Sequence, residues 1–210
     1  MKLLFLDTET NGLPANRYAS YTATEMWPHV IQLSWQLIDT DNWNVLTEHD
    51  AFLKPRAEWN KDAERVHQIP ESIAQKFGQE PGAVLDSLYR DLQACDGVVA
   101  HNMSFDKTAI LCEVQRLWES GSKMKPADFW NPKLSTICTM VVTKRFCGIR
   151  FPNSEDYKFP KLNELYLKLF GVEYDVSGAA LHNAKHDVTC LVTCFRKLIE
   201  LPEFANLINN

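Results

Sequence analysis

An unbroken apolar run, Leu3-Leu4-Phe5-Leu6, stops abruptly at two acids, Asp7 and Glu9, with only Thr8 between them. A run this short and without alternation reads as a central strand covered on both faces. On extended backbone, residues two apart point to the same side, so Asp7 and Glu9 project together from the strand's end. Two adjacent carboxylates repel unless a cation lies between them, and hard oxygen ligands with an open outlook suit magnesium or manganese. A polar strand end turning at Gly12 would carry the same tetrapeptide, so the case depends on whether more acids arrive.

Two more acids do arrive at the ends of elements. Residues 97–100, Gly-Val-Val-Ala, read as a brief buried strand that runs into His101-Asn102-Met103-Ser104-Phe105-Asp106. Ser104 is the expected N-cap of a helix whose apolar stripe is Ala109, Ile110, Val114, Leu117 and Trp118, which places Asp106 in the first turn. The helix dipole favours a carboxylate there even without chemistry. His182-Asn183-Ala184-Lys185-His186-Asp187 leads into Leu191, Val192, Phe195, Leu198 and Ile199, an amphipathic closing helix carrying Asp187 near its start.

Between these motifs, residues 30–39 alternate Ile31, Leu33, Trp35 and Leu37 with Gln32, Ser34 and Gln36, the pattern of a half-buried strand. A turn at Asp41-Asn42-Trp43-Asn44 returns the chain in a further strand over 45–53. Short helices are expected over 62–67 and 71–77, and a longer one bears Val84, Leu85, Leu88 and Leu92. Residues 134–139 read as a strand, 139–147 as a helix, and 162–170 as a helix stopped by Gly171. The long polar connection over 12–29, with Tyr18, Tyr21 and Trp27, leaves directly from the acidic strand end and is a candidate flap. Its rings are expected to pack on the body more than to stack on bases.

A chain of 210 residues with no Pro/Gly/Ser-rich linker is read as a single domain over 1–210. Its apolar runs are too short to cross a bilayer, and no leader pattern follows Met1, so a cytoplasmic protein without membrane association is expected. The six cysteines lack zinc-knuckle spacing, and Cys190 and Cys194 are read as packed thiols. A net charge of −5 excludes binding of nucleic acid through a general basic surface. The cations between Lys123 and Lys161 outnumber the acids there, however, and offer either a phosphate contact or a solvated face.

Order, separation and flanking pattern of Asp7-Thr8-Glu9, Asn102-Met103-Ser104-Phe105-Asp106, and His182 five positions before Asp187 resemble the DEDDh branch of the DnaQ-like 3′–5′ exonucleases. The chain is similar in this to the exonuclease domain of the DNA polymerase III epsilon subunit. The resemblance implies an α/β protein of RNase H-like fold: a central mixed five-stranded sheet, order 3-2-1-4-5 with strand 2 antiparallel, flanked by helices.

It implies further that Asp7, Glu9, Asp106 and Asp187 hold two Mg2+ or Mn2+ ions and that His182 removes a proton from the attacking water. Histidine is suited to that task by its ordinary pKa of about 6.5. Thr10, Gly12 and Leu13 would meet the terminal sugar and base, with Leu13 as an apolar wedge, and Val66 and His67 would flank the same nucleotide. Asn102 would fix the turn before Asp106. Gln68 stands where relatives often have glycine, a departure that bears on the loop around His67. The implied activity is hydrolysis of the 3′ end of single-stranded DNA or RNA to nucleoside 5′-monophosphates. The alternatives are a proofreading subunit partnered by a DNA polymerase, an RNA-trimming enzyme like RNase T or oligoribonuclease, and an inactive nucleic-acid-binding module.

Overall fold

The computed structural model describes residues 1–175 and 183–208. β1 (Lys2–Thr10) is the middle strand of a five-stranded sheet. It is followed by β2 (Val30–Asp39) and β3 (Asn44–Phe52), by helices α1 (Lys61–His67), α2 (Glu71–Phe77) and α3 (Pro81–Ala94), then by β4 (Gly97–Ala100) and α4 (Met103–Glu119). α5 (Pro126–Phe129), β5 (Ser135–Cys138), α6 (Thr139–Val142), α7 (Lys144–Cys147), α8 (Leu162–Phe170) and α9 (Ala184–Leu198) complete the order. The strands lie β3-β2-β1-β4-β5, with β2 antiparallel to β1 and β3, and β4 parallel to β1 and β5. This is the expected RNase H-like mixed sheet.

Alternation along β1 sorts its side chains between two layers. Leu4 and Leu6 join a core with Val84, Leu88, Ala109 and Ile110 of α3 and α4, whereas Leu3 and Phe5 pack with Val188, Leu191 and Phe195 of α9. The Phe5 and Phe195 rings meet edge to face at 5.3 Å. Continuing the alternation, Asp7 and Glu9 leave the strand on the α9 side and Thr8 and Thr10 on the α4 side.

Three local expectations need correction. β2 is buried on both faces, not half-buried: Gln32 and Ser34 are 0% and 1% exposed. Its polar face, facing Phe5, Asp7 and Glu9 across the ladder, is covered by α9. Secondly, α4 begins one residue after Asn102, which takes a left-handed conformation (φ 83°), so Asn102 and not Ser104 is the boundary residue. Lastly, the helix expected over 139–147 divides at Thr143, whose hydroxyl donates back to the Thr139 carbonyl (2.7 Å) and offers the backbone an alternative to a continuous helix.

The connection over 12–29 is tied down at both ends and along its course. Asn11 and His29 exchange two hydrogen bonds, N–H to carbonyl at 2.9 Å and N–H to side-chain oxygen at 2.7 Å. Arg116 of α4 donates to the carbonyls of Thr24, Trp27 and Pro28 and to Glu113, which also accepts from Val30. Trp27 is buried with its ring 5.8 Å from that of Phe105, and Tyr21 packs on the same core; Tyr18 alone of the three rings is exposed.

Candidate active site

Asp7, Glu9 and Asp187 each direct a carboxylate oxygen into a group in which these atoms lie within 4.8 Å of one another. Asp7 and Glu9 are fixed by the ladder, opposite Ser34 and Gln32. Asp187 sits in the first turn of α9, its amide bonded to the carbonyl of the N-cap residue Asn183 (3.0 Å). Packing of Phe5 against Phe195, Val188 and Leu191 brings that turn to the end of β1.

Asp106 approaches from the other layer. It is 2% exposed, and its Oδ1 accepts from both the amide (3.1 Å) and the hydroxyl (2.7 Å) of Thr8. The four acids thus divide into a close trio and a fourth member held by the strand residue between the first two. Thr8 was not singled out by the sequence; its strand parity, opposite to that of Asp7 and Glu9, is the signal that points it toward α4.

Crowding acids in a part-buried cleft disfavours their ionised forms. Burial first, and then the charges of Asp106, Asp187 and Glu9, hold the Asp7 carboxyl well above the usual range. Burial, followed by Asp187 and Asp106, pushes Glu9 up to about 9. Burial raises Asp106 to about 7 against the opposing pull of its bonds from Thr8, and raises Asp187 to about 6. A set of hard oxygen donors whose charges are mutually unfavourable fits a divalent cation, which relieves the repulsion and takes the place of the protons.

Beside the trio opens a cavity of about 540 Å³ lined by Thr8, Glu9, Thr10, Gly12, Leu13, Asn60, Ala63, Val66, His67 and Phe105, among others. Leu13 and Val66 are 87% and 55% exposed at its wall. The Thr10 hydroxyl donates to the Gly12 carbonyl (2.8 Å) and so shapes the turn that carries Leu13. His67 is buried, with Nδ1 accepting from the Ile69 amide (3.0 Å). Asn102 is not among the lining residues. Asn60, Ala63 and Phe105 were not anticipated; the first two follow from α1 packing alongside the cavity, with Asn60 as its N-cap.

Gln68, at the end of α1, occupies the left-handed region (φ 56°) that glycine enters without cost, so the turn after His67 keeps a glycine-like backbone. We expect Gln68→Gly to raise unfolding free energy by about 0.5–1 kcal/mol, because a side chain in this region costs about 1–2 kcal/mol and the bond from Gln68 to the Arg65 carbonyl offsets only part of it. Urea denaturation measures the change, and a loss of stability would contradict it.

His182 lies outside the described residues. His101 is bonded to Thr139 Oγ1 (2.9 Å) and the Pro160 carbonyl (2.9 Å), and burial lowers its pKa. Several cations of the 123–161 stretch have local partners: Lys158 pairs with Glu164 (2.6 Å), while Lys144 and Arg150 lie over the rings of Phe159 and Tyr157. Among the described residues no helix is long and apolar enough to cross a membrane.

The RNase H-like sheet thus carries acids clustered at the end of its central strand. No protein-family model matches this chain, and no curated protein sequence matches it. Among solved structures, it is similar to E. coli exonuclease I in complex with a dA16 oligonucleotide, with a TM-score of 0.72 and 18% identity over 99% of this chain and 43% of that one. It is also similar to exonuclease I from Methylocaldum szegediense, with a TM-score of 0.70 and 18% identity over 99% of this chain and 42% of that one. The chain therefore spans less than half the length of these exonuclease I chains, and at such identity the likeness establishes the fold.

Proposed function

We propose that the chain is a metal-dependent 3′–5′ exonuclease of the DnaQ-like type, forming one catalytic unit over residues 1–210 and acting on single-stranded ends. The observation that carries this reading is the convergence of Asp7 and Asp187 on Glu9, which also lines a cavity of nucleotide scale. The exonuclease I fold supports it, one such structure being complexed with an oligonucleotide.

Asp7, Glu9 and Asp187 would hold Mg2+ or Mn2+, with Asp106 contributing from the Thr8 side. Two such ions supply charge stabilisation for the incoming and departing oxygens of a phosphoryl displacement. The chain's own residues do the rest. Leu13 and Val66 seat the terminal nucleotide, and Thr10 holds the Leu13 turn in place. Bonds from Thr8 hold the buried Asp106 carboxyl in place for its part in the ion site. His182, immediately before the α9 N-cap, takes the proton of the attacking water on a ring nitrogen. A terminal base must be free of its partner to enter the cavity, so frayed or single-stranded ends are favoured. Contacts through phosphate, sugar and ring faces give little sequence preference.

The test is digestion of matched 5′-labelled single-stranded DNA, duplex DNA and RNA with magnesium. Stepwise shortening from the 3′ end with release of nucleoside 5′-monophosphates is expected, and labelled strands left intact in every lane would refute the reading. Leu13→Ala is expected to raise KM about three- to tenfold with kcat nearly unchanged, since Leu13 would contribute binding common to ground and transition states. An unchanged KM in steady-state kinetics would remove Leu13 from the site.

A further inference from the structure

Gln32 lies on β2 directly across the ladder from Glu9, and is fully buried although its side chain is polar. Its amide nitrogen donates to Asp50 Oδ1 of β3 (2.8 Å) and to the Asn183 side-chain oxygen (3.3 Å). Its carbonyl oxygen accepts from the Ala184 amide (3.2 Å), the first residue of α9. Asp50 in turn accepts from Ser34 (2.5 Å), the cross-strand neighbour of Asp7. Asn183 caps α9 by accepting from Lys185 (3.2 Å) and bonds through its carbonyl to the Asp187 amide (3.0 Å). One side chain therefore ties the strand in register with Glu9 to the cap of the helix that presents Asp187. The apolar contacts of α9 bring its first turn to the end of β1, and directional bonds at its N-terminus fix the finer position along its own axis.

We infer that Gln32, held by Asp50, is the positioning residue that sets the separation between the Asp7/Glu9 strand end and Asp187. Its consequence is on ion affinity, and it rests on the reading of these acids as a divalent-ion site. Groups that orient metal ligands from one shell out change affinity by about ten- to a hundredfold.

The test titrates Mn2+ calorimetrically into the metal-free 210-residue chain without substrate. Gln32→Met, close in shape but unable to make these bonds, is expected to weaken Mn2+ about tenfold. Asp50→Ala, at an exposed position, removes the acceptor that holds Gln32; it is expected to weaken Mn2+ several-fold and so guards against misfolding of the buried variant. The double variant should lose no more than Gln32→Met alone, because both act through one contact. Glu48→Gln removes a neighbouring β3 charge that does not touch Gln32; its ion pair with Lys185 of α9 is long (3.8 Å) and solvent-exposed, so affinity should stay within about twofold of wild type.

Wild-type affinity in Asp50→Ala, or in a folded Gln32→Met protein whose melting temperature alone has fallen, would overturn the inference, as would a wild-type chain that takes up no Mn2+. A wild-type chain that binds Mn2+ yet leaves oligonucleotides intact refutes the exonuclease proposal while the variant affinities still decide this one.

Discussion

Asp7→Asn is expected to lower hydrolysis of a single-stranded oligonucleotide by a thousandfold or more while raising the melting temperature of the metal-free protein. The two effects have one cause. Asp7 is disfavoured in its charged form by burial and by Asp106, Asp187 and Glu9 together. An amide keeps the shape and removes the charge, so the fold no longer has to accommodate a crowded carboxyl; a gain of about 1–2 kcal/mol corresponds to several degrees in a chain of this size. The same change removes a charged ion ligand, and a thousandfold loss corresponds to about 4 kcal/mol of barrier. Thermal melts with and without Mn2+, run beside the activity assay, separate this from misfolding. A variant that is inactive because it unfolds would melt lower, whereas this one should melt higher without metal and gain little from adding it. Retained activity would end the assignment of Asp7, and a lowered metal-free melting temperature would contradict the crowding that motivates it.

Much of the frame was legible because the sequence states it locally. The apolar run before Asp7, the β2–β3 turn and the stripe of α9 depend on residues near one another, and these elements form where the pattern places them. What escaped was the partner across space. The Gln32, Ser34 and Gln36 face of β2 has the same polar alternation as a solvated edge, and nothing in that stretch says that α9 will cover it. Those polar groups stand the burial because Asp50, Asn183 and Ala184 satisfy them. The division of the acids is of the same kind. Asp106 and Asp187 are both acids in the first turn of a helix, yet the two helices pack on opposite faces of β1. Strand parity then commits Asp106 to Thr8 and Asp187 to the trio. What ties down the 12–29 connection, a candidate flap, was not legible because its anchor, Arg116, is some ninety residues away, beyond the reach of any local pattern.

Without divalent ions the protein is expected to lose stability steadily as pH rises from about 5 to about 9, and with them that slope should flatten or reverse. The folded-state carboxyls titrate late: Asp187 at about 6, Asp106 at about 7, Glu9 at about 9, and Asp7 well above its usual range. In the unfolded chain all four release their protons near pH 4. Between those limits the native state binds more protons than the unfolded state, so unfolding free energy falls with rising pH, and the stability contributed by these groups is complete only below the unfolded value. Binding of Mg2+ or Mn2+ requires the ionised forms, so it displaces protons and its affinity climbs with pH until the acids are fully ionised. Stabilisation by added metal should accordingly be small near pH 5.5 and large near pH 8.5, a difference on the order of 5 °C or more in melting temperature. Calorimetry near pH 7 in two buffers of unlike ionisation enthalpy should register release of roughly one to two protons as metal binds. Activity should follow the same curve, rising toward alkaline pH at limiting metal and levelling when metal is saturating. A flat metal-free stability profile, or metal uptake with no proton release, would show that these acids are already ionised in the folded chain and that mutual repulsion is not what an ion relieves.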